Sequence, residues 1–541
     1  MGSPKHYHAD VVVAGGGIAG IVTALELLDY GKKVVLLDRD EERYFGGQAI
    51  TAFGGMMIVG SPVQKRMGIK DTPELAFKDW CNTAGFSFED VLPRQWAEMY
   101  CHRNLPDVYR WLRGRGVRFL PAVMWPERGF YGTGNSLPRY HIAWGTGYGF
   151  TSRLIENLMN HKNRRNLEIH FNHRVTGIET SGGAVCGLSG EVEGTGEPFE
   201  VKADVVVIAA GGLGGNLKKV RALWPKEMGK APDDLFIGSH PFCDGAMQDM
   251  AEKLGGVLTN MGYMWNYPDG VTSANPRFPG YGLHVITPKS ALWMDYRGRR
   301  FGPQPLIGYI DTTYVVARIC GQEKPFSWHV MNWKIAAREL ALSGSDHNDA
   351  IRDKKFFTLL KNTLFGNHEL VKRMVRECPD FITADTVQEL AKKMNDLAGT
   401  DDIDAAGMEQ DIRDYDAQID RGVKFFNDDQ LRRIAHSLRW SGDRVRTCKY
   451  QKILDPKAGP LLAIRYRMMT RKCLGGIRTD LHSRVVDRND RPVEGLYAVG
   501  EAAGFGGGGI NGKSSLEGTF IAPAILGGRI AARSISGERN P

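Results

Sequence analysis

Three glycines near the start of the chain form a G-x-G-x-x-G motif. Gly15, Gly17 and Gly20 follow a short apolar run, and apolar residues then recur at helical spacing. In such a motif the first glycine permits a tight turn, the second lets the main chain approach a pyrophosphate, and the third lets helix and strand pack closely. Asp38 ends the next apolar run, roughly 20 residues further on, where a carboxylate accepts a hydrogen bond from a ribose hydroxyl. The spacing therefore predicts a dinucleotide at the N-terminus of the first helix.

Glycine clusters recur along the chain. The protein has 66 glycines in 541 residues, where about 40 would be typical of this length. Such clusters indicate main chain that closely approaches a ligand or another strand. The segment 209–214 also follows an apolar run, yet its glycine spacing differs from the fingerprint and no acidic residue ends a following strand. Because one fingerprint is intact, we expect a tightly held FAD in preference to a nicotinamide cofactor.

Further segments occur in an order that is typical of one protein family. They are 45–55 (FGGQAITAFGG), 207–212 (VIAAGG), 244–245 (DG), 298–301 (GRRF), 474–480 (LGGIRTD), 495–501 (GLYAVGE) and 518–519 (GT). Through them the chain resembles the fumarate reductase and succinate dehydrogenase flavoprotein superfamily, and most of all its 3-ketosteroid Δ1-dehydrogenase-like branch. The resemblance covers nearly the whole chain. It implies an FAD-dependent oxidoreductase that acts on a carbon–carbon bond next to a carbonyl.

The resemblance also implies which residues hold FAD. In the family a glutamate contacts the FAD ribitol and main-chain N–H groups follow the flavin ring, and these are Glu501 and the segment 516–519 here. The predicted cofactor-binding residues are Gly15, Gly17, Ile18, Ala19, Gly20, Asp38, Arg39, Gly47, Gln48, Gly54, Gly55, Val175, Ala210, Gly211, Asp244, Gly500, Glu501, Leu516, Gly518 and Thr519. Family members that attach flavin covalently use a histidine where this chain has Gln48, so we expect noncovalent FAD.

The family's catalytic groups suggest two catalytic residues. In the ketosteroid branch a tyrosine after the R-F segment removes the proton α to the ketone while hydride passes to flavin N5, and Tyr309 occupies that place. The ketone-binding tyrosine of that branch is replaced by Lys513. An ammonium can stabilise a developing enolate, and it could equally hold a carboxylate or a lactone. Each residue also has a noncatalytic alternative: Tyr309 as an aromatic packing residue and Lys513 as a solvated surface lysine.

Three further residues are predicted to contact the substrate. Trp144 lies in an aromatic-rich segment that the family places over the flavin, Tyr267 replaces a family histidine, and Arg471 stands where fumarate reductases carry a substrate-binding histidine. The two arginines with which fumarate reductases protonate and clamp a dicarboxylate have no counterpart, because Thr312 or Thr313 and Ser515 occupy their places. Bidentate binding of a carboxylate needs the guanidinium of an arginine. Without these two arginines, reduction of a dicarboxylate is disfavoured.

These residues together predict α,β-dehydrogenation of a cyclic, steroid-like ketone. Three alternatives remain open on the sequence. One is a fumarate reductase-like reductase of an unsaturated carboxylate or enone, the second is a flavin monooxygenase, and the third is a flavin-binding protein without catalysis. The direction of the reaction, the identity of the substrate and the electron acceptor are not fixed by the sequence.

The elements that must position these residues alternate between strand and helix. Strand and glycine signals lie towards both ends of the chain, whereas charged helical segments dominate from about 280 to 445. We therefore expect an α/β fold: a discontinuous Rossmann-type FAD-binding domain of the glutathione reductase kind, with an inserted α+β capping domain. The predicted boundaries are 1–262 and 446–541 for the FAD-binding domain and 263–445 for the cap.

Composition excludes several other classes of protein. The net charge of +8 arises from 70 basic and 62 acidic residues spread along the chain, which does not indicate nucleic-acid binding. No run approaches the roughly 18 apolar residues of a membrane span. The 8 cysteines include no C-x-x-C pair, so we expect reduced thiols in a cytoplasmic protein and no metal site. The predicted partners are a small carbonyl compound and an electron acceptor, with the oligomeric state left open.

Overall fold

A computed structural model describes residues 4–308 and 311–538 of the chain. Its centre is a six-stranded sheet in which five strands are parallel and the edge strand 484–486 is antiparallel. In spatial order the strands are Arg484–Val486, Pro492–Ala498, Val205–Ile208, Val11–Ala14, Val34–Leu37 and Leu167–His170. The strands 11–14 and 34–37 are buried at every position, which explains why they consist of consecutive apolar residues.

Helices from both chain ends cover this sheet. Ile18–Asp29 packs against Ile521–Ile535, and the two helices share one hydrophobic core with one face of the sheet. The other helices of this part are Gly47–Thr51, Pro62–Arg66, Pro73–Ala84, Val91–Arg103, the π-helical turn Asn104–Arg110, Trp111–Gly114, Thr146–Met159, Leu217–Ala222 and Ala246–Lys253. The first and last thirds of the sequence therefore build one body around the glycine-rich segments.

Three small sheets flank the central one. A four-stranded sheet has the order Lys5–His8, Pro198–Lys202, Ala184–Val192 and His173–Ser181. A three-stranded sheet has the order Gly55–Met57, Tyr140–Ala143 and Phe119–Met124, and a two-stranded one pairs Leu258–Thr259 with Gly476–Ile477. Within the three-stranded sheet the Tyr140 ring lies directly over Gly55.

A second large sheet carries the middle of the chain. Its main path runs through Leu292–Met294, Phe326–Asn332, Leu461–Cys473, Met264–Thr272, Gly282–Ile286 and Ala341–Leu342, and Phe236–Ile237 and Phe381–Ala384 also pair with the long strand 461–473. The helices around it are Thr312–Cys320, Trp333–Glu339, Asp349–Arg352, Phe356–Phe365, His368–Glu377, Val387–Ala398, Ala405–Asp420, Asp429–Arg439 and Ser441–Arg444. This sheet and these helices enclose a separate hydrophobic core.

The predicted α/β fold class is confirmed. The domain boundaries stay a prediction, and the pairing of 461–473 with 264–272 shows that the strand after residue 446 belongs to the second sheet. Sheet membership would therefore move the second boundary to about residue 474. Within the part of the chain that the structure describes, no helix has the length and hydropathy needed to cross a bilayer.

Candidate active site

A cavity of about 420 Å³ lies at the carboxyl ends of the parallel strands. Ala14, Asp38, Ala209 and Gly500 line it, and each ends one of the strands or follows it by at most two residues. Ligands of open α/β sheets bind at this edge, where loops diverge from the strand ends. The long strand 461–473 closes the cavity from the other side through Arg471 and Lys472. Both ends of the sequence and the second sheet therefore contribute to one site.

The three fingerprint glycines have distinct steric roles. A Cβ on Gly15 would lie 2.3 Å from the oxygen of Ala209, and one on Gly20 would lie 1.9 Å from the oxygen of Gly15. Both residues therefore allow close packing of the turn. A Cβ on Gly17 meets no atom within 4 Å, although the residue lines the cavity. This open space at a helix N-terminus is what a pyrophosphate requires, so the site fits FAD.

Asp38 sits at the end of its strand as the fingerprint predicts. Its carboxylate accepts hydrogen bonds from the Gly16 N–H at 2.9 Å and from the Asp40 N–H at 2.8 Å. Burial raises the pKa of Asp38 to about 6, and the two backbone hydrogen bonds oppose that rise. The neighbouring Arg39 pairs with Glu193 at 2.5 Å and with Asp244 at 2.9 Å. The acid is therefore fixed at the cavity wall with lone pairs left for a ribose hydroxyl.

Glu501 is a second carboxylate at the wall of the cavity. Its Oε1 accepts a hydrogen bond from the Cys473 N–H at 2.8 Å, and Gln48 Nε2 lies 3.5 Å from its Oε2. Burial raises the pKa of Glu501 to about 7, because a charged carboxylate is poorly solvated there. Hydroxyl groups of a ribitol chain would supply the missing donors. Gln48 carries an amide, which forms no bond with a flavin ring, so the residues present fit noncovalent FAD.

Most predicted ligand-binding residues lie in this cavity. Those that line it are Gly15, Gly17, Ile18, Ala19, Asp38, Arg39, Gly47, Gln48, Gly54, Gly55, Val175, Ala210, Gly211, Asp244, Gly500, Glu501, Gly518, Tyr267 and Arg471. Their individual roles remain predictions. Gly20, Leu516 and Thr519 lie behind the wall, and the Thr519 hydroxyl donates to the Leu516 oxygen at 2.6 Å. That bond braces the loop that presents the two residues between them.

Trp144 and Lys513 do not line the cavity. Trp144 lines a separate basic cleft, so its placement does not support substrate contact. Lys513 is exposed, and its ammonium lies 5.5 Å from the ring centroid of Tyr263. This position favours the alternative in which Lys513 is a solvated surface lysine, because an exposed ammonium stays hydrated and gains little by turning inwards. Tyr309 lies outside the described residues, and its role as base stays a prediction.

A phenol between two opposite charges forms the substrate side of the cavity. Lys472 Nζ donates a hydrogen bond to the Tyr267 oxygen at 3.0 Å, and the Tyr267 hydroxyl lies 3.5 Å from Glu517 Oε1. The Trp265 indole N–H donates to the same carboxylate oxygen at 3.2 Å. Tyr267 and Lys472 come from adjacent strands of the second sheet, whereas Glu517 lies on the C-terminal loop. The three groups meet only in the folded chain.

Burial shifts the acid–base properties of these groups. It lowers the pKa of Lys472 to about 8, against the opposing attraction of Glu517. Burial also raises the pKa of Tyr267 well above its ordinary value, and the Glu517 charge adds to that rise. The pKa of Tyr140, which lines the same wall, rises for the same two reasons. At neutral pH the site therefore contains an ammonium and two neutral phenols.

Sequence reasoning missed Lys472 and Glu517 as site residues, and it noted Tyr140 only as a member of the aromatic-rich segment around Trp144. Glu517 lies inside the segment 516–519 that was assigned to the flavin ring, and Lys472 is next to Arg471. No local signal singles out Lys472, because the same strand also carries Arg465, Arg467 and Arg471. Tyr140 packs over Gly55, whose Cβ would lie 1.7 Å from the Tyr140 ring. That contact leaves no trace in local sequence.

Comparison with known proteins agrees with this architecture. The FAD binding domain family matches residues 10–521, and the chain belongs to this family. A KsdD-like steroid dehydrogenase of Mycolicibacterium smegmatis is 39% identical over 95% of this chain and 96% of its own length. The fold is similar to a 3-ketosteroid Δ1-dehydrogenase of Sterolibacterium denitrificans, with a TM-score of 0.71, 17% identity and coverage of 98% and 99%. It is also similar to a flavocytochrome c3 fumarate reductase, with a TM-score of 0.68, 20% identity and coverage of 99% and 79%.

The fold and the cavity thus define the class of the protein. It is an FAD-dependent oxidoreductase of the FAD binding domain family, with a steroid dehydrogenase and a fumarate reductase among its relatives. The recognition of this family from the glycine-rich motifs is confirmed, and so is the cofactor. Gly17 and Glu501 are the two residues whose surroundings fit FAD most directly.

Proposed function

We propose that the protein dehydrogenates the α,β carbon–carbon bond of a cyclic ketone of the 3-ketosteroid class. The observation that carries this proposal is the Tyr267 phenol held between Lys472 and Glu517 at the cavity wall. Desaturation next to a ketone needs a hydrogen-bond donor for the carbonyl oxygen and a base for the α-proton. The Tyr267 hydroxyl can serve as the donor and the Glu517 carboxylate as the base, and the two groups lie 3.5 Å apart. The relative named a steroid dehydrogenase and the structural neighbour solved with a steroid dione support the substrate class.

Tyr267 is the proposed donor to the ketone oxygen. The Lys472 ammonium donates to the phenol oxygen at 3.0 Å, and this withdraws charge so that the O–H becomes a stronger donor. The hydroxyl lies 3.5 Å from Glu517, too far for a strong bond, so it is available to a substrate oxygen. Ring stacking on His284, with centroids 3.9 Å apart, holds the phenol in position. The donor therefore acidifies the α C–H bond by stabilising the enolate.

Glu517 is the proposed acceptor of the α-proton. As this proton passes to the carboxylate, its bonding pair forms the new double bond and a hydride leaves the β-carbon. FAD, when bound, supplies the acceptor for that hydride. The indole N–H of Trp265 fixes the carboxylate at 3.2 Å, which keeps one oxygen free for the proton. Tyr309, the base expected from the family pattern, remains the rival for this role.

Apolar side chains complete the substrate side. Phe505, Phe520 and Tyr140 line the cavity, and the first two rings lie edge to face at 5.2 Å. A flat, apolar substrate would displace water from these rings, because transfer of apolar surface out of water is favourable. Exclusion of water also strengthens the donor and base interactions in the closed site.

A reductase of unsaturated carboxylates is the second candidate. The observation that favours it is the guanidinium of Arg471 at the cavity wall, since an arginine can clamp a carboxylate. Against it, Arg471 already donates to the main-chain oxygen of Gly238. One guanidinium also offers less than the paired arginines of fumarate reductases.

Anaerobic mixing with defined compounds tests the proposal. A saturated 3-ketosteroid should bleach the flavin of the purified holoenzyme, and the matching 3-hydroxysteroid should not, because only the ketone makes the α-proton acidic. The unsaturated steroid should appear as product. Reoxidation of chemically reduced enzyme by an unsaturated dicarboxylate, with no bleaching by any cyclic ketone, would overturn the proposal in favour of the reductase.

We also infer a cytoplasmic location. All eight cysteines, six of them buried, are free thiols, which is the usual state in a reducing compartment. Fractionation of cells that produce the protein would check this.

A further inference from the structure

One helix of the second body exposes its apolar side to water. The helix Phe356–Phe365, called the apolar helix below, has no buried residue. Its exposed fractions are 60% for Phe356, 83% for Phe357, 42% for Leu360, 56% for Leu364 and 72% for Phe365. Exposed apolar residues scattered singly are ordinary, but five in ten residues form a contiguous patch that calls for a binding partner.

The apolar helix turns few apolar side chains towards the protein. Surface helices usually turn their apolar stripe towards the core, whereas here only Leu359, Asn362 and Thr363 are half-buried and the phenylalanines face out. The helix is nevertheless held firmly. Arg338 Nη1 donates to the main-chain oxygens of Thr363 at 3.0 Å and Leu364 at 2.8 Å, which satisfies the C-terminal carbonyls. The exposed face is therefore a fixed feature of the surface.

A basic cleft adjoins the N-terminus of the apolar helix. Its volume is about 460 Å³, its cations are Arg113, Arg118, Arg153 and Lys354, and no carboxylate is among the described residues that line it. Lys354 lies two residues before the apolar helix. Arg153 pairs with the exposed Glu156 at 2.7 Å, while the other three cations have no ion pair within the described chain. Trp144 also lines this cleft.

A basic groove adjoins the other end. It has a volume of about 1060 Å³, and Phe365 and Val423 lie on its wall. The groove is lined by six cations, namely Lys334, Arg338, Arg439, Arg444, Lys449 and Lys457, and again no described carboxylate lines it. The apolar helix, about 15 Å long, therefore forms an apolar ridge with positive charge at both ends.

We propose that this face binds the surface of an anionic phospholipid membrane. Insertion of the ridge would bury the phenylalanine and leucine side chains in the acyl boundary, as interfacial helices do. The cleft and the groove would then lie at the level of the lipid phosphates, where lysine and arginine are attracted. Trp144 would sit at the same level, which indole rings favour. A membrane supplies an apolar layer beneath a negative layer, and that is the arrangement this face complements.

Two other occupants fit less well. A second copy bound about a two-fold axis would bring the same surface against itself, so the basic cleft and groove would face like charge. A protein partner would need an apolar groove of matching length flanked by acidic residues on both sides. The proposal concerns the surface of the lipid, and it does not depend on the substrate proposed above.

Vesicle flotation of the FAD-loaded holoprotein tests the proposal. Vesicles of phosphatidylcholine with phosphatidylglycerol should carry the protein, and vesicles of phosphatidylcholine alone should carry at least about tenfold less, with binding to the mixed vesicles weakened by salt. Phe357→Ser with Phe365→Ser should reduce partitioning at least about tenfold. Phe88→Ser is the matched control, because Phe88 is 90% exposed and lines neither the cleft nor the groove. Lys354→Glu with Lys449→Glu should remove the preference for anionic lipid.

Flavin content and circular dichroism establish that each variant is folded. Absence of the wild-type protein from the mixed vesicles would overturn the proposal, as would equal losses for Phe88→Ser and the helix variant. A concentration-dependent dimer that Phe357→Ser dissociates, without vesicle binding, would assign the ridge to a second copy instead. Binding that is insensitive to the double variant Lys354→Glu with Lys449→Glu would refute the role given to the cleft and groove.

Discussion

The two sides of the cavity are built by different means. On the cofactor side the main chain forms the surface: Gly15 and Gly20 allow close packing and Gly17 leaves open space. On the substrate side three side chains from three segments of the chain meet, with Tyr267 between Lys472 and Glu517. The fingerprint glycines of the first side lie within one short interval of sequence, whereas Tyr267 is separated from Lys472 by 205 positions and from Glu517 by 250.

The two sides should therefore respond differently to substitution: the cofactor side to added volume, and the substrate side to the loss of a charge. A main-chain cradle fails when a side chain fills it, because the cofactor and a Cβ compete for the same volume. A cluster of charged side chains fails when one charge is lost, since the remaining buried groups are left without a partner. We therefore expect substitutions on the cofactor side to change FAD content and those on the substrate side to change the rate.

The largest effects should come from the fingerprint glycines. Gly20→Val should prevent folding, because its Cβ would lie 1.9 Å from the oxygen of Gly15. Gly17→Val should fold, because Gly17 has an extended conformation, with φ −75° and ψ −179°, and no atom lies within 4 Å of its Cβ. It should retain less than about a tenth of the flavin, since the side chain fills the pyrophosphate space. Circular dichroism and the ratio of flavin to protein absorbance measure both. Full flavin content in Gly17→Val would refute the cradle.

Glu517→Gln should have the largest effect on the substrate side. The amide keeps the size of the side chain but accepts no proton, so flavin reduction by the ketone should slow about 10²-fold or more. Anaerobic stopped-flow measures this rate, and the FAD content should be unchanged. Glu89→Gln, at an exposed position, is the matched control. If Glu517→Gln reacts normally and Tyr309→Phe is slow, the base is Tyr309.

The lowered pKa of Lys472 predicts how the rate of flavin reduction depends on pH. Its pKa is lowered to about 8 by burial, so the ammonium is present below that pH and is lost as the pH rises through it. The rate of flavin reduction should therefore fall above about pH 8. Lys472→Met should be about tenfold slower at pH 7, less than for loss of a direct donor, and should lack that fall. Retention of the same alkaline decline in Lys472→Met would assign it to another group.

Lys513→Met should have the smallest effect. The ammonium is exposed and lies over the ring of Tyr263, so we expect turnover within about twofold of the wild type, as for most surface substitutions. Steady-state assays with the same ketone check this. A loss of about 10²-fold would restore Lys513 as the ketone donor that the family pattern suggests.

The cofactor side could be predicted because its signal is local. The interval from Gly15 to Asp38 spans one strand–helix–strand unit, and each residue type there has one steric or hydrogen-bonding purpose. The remaining features could not be predicted, because they depend on contacts between segments that are distant in the sequence. The strand 461–473 joins the second sheet, which the glycine pattern on either side of it did not indicate. Trp144 and Lys513 were assigned by position in a family pattern, and their orientation is set by packing that no local pattern records.

The sequence by itself determined the cofactor, the fold class and the family, because glycine spacing and apolar periodicity act over a few residues. The tertiary structure alone decided which charged groups share the cavity. Lys472 and Glu517 interact because two chain segments fold against each other, and their charges matter only in that buried setting. The structure alone also revealed the exposed face of the helix Phe356–Phe365, since a run of apolar residues in a sequence does not indicate whether it faces the core or the surroundings.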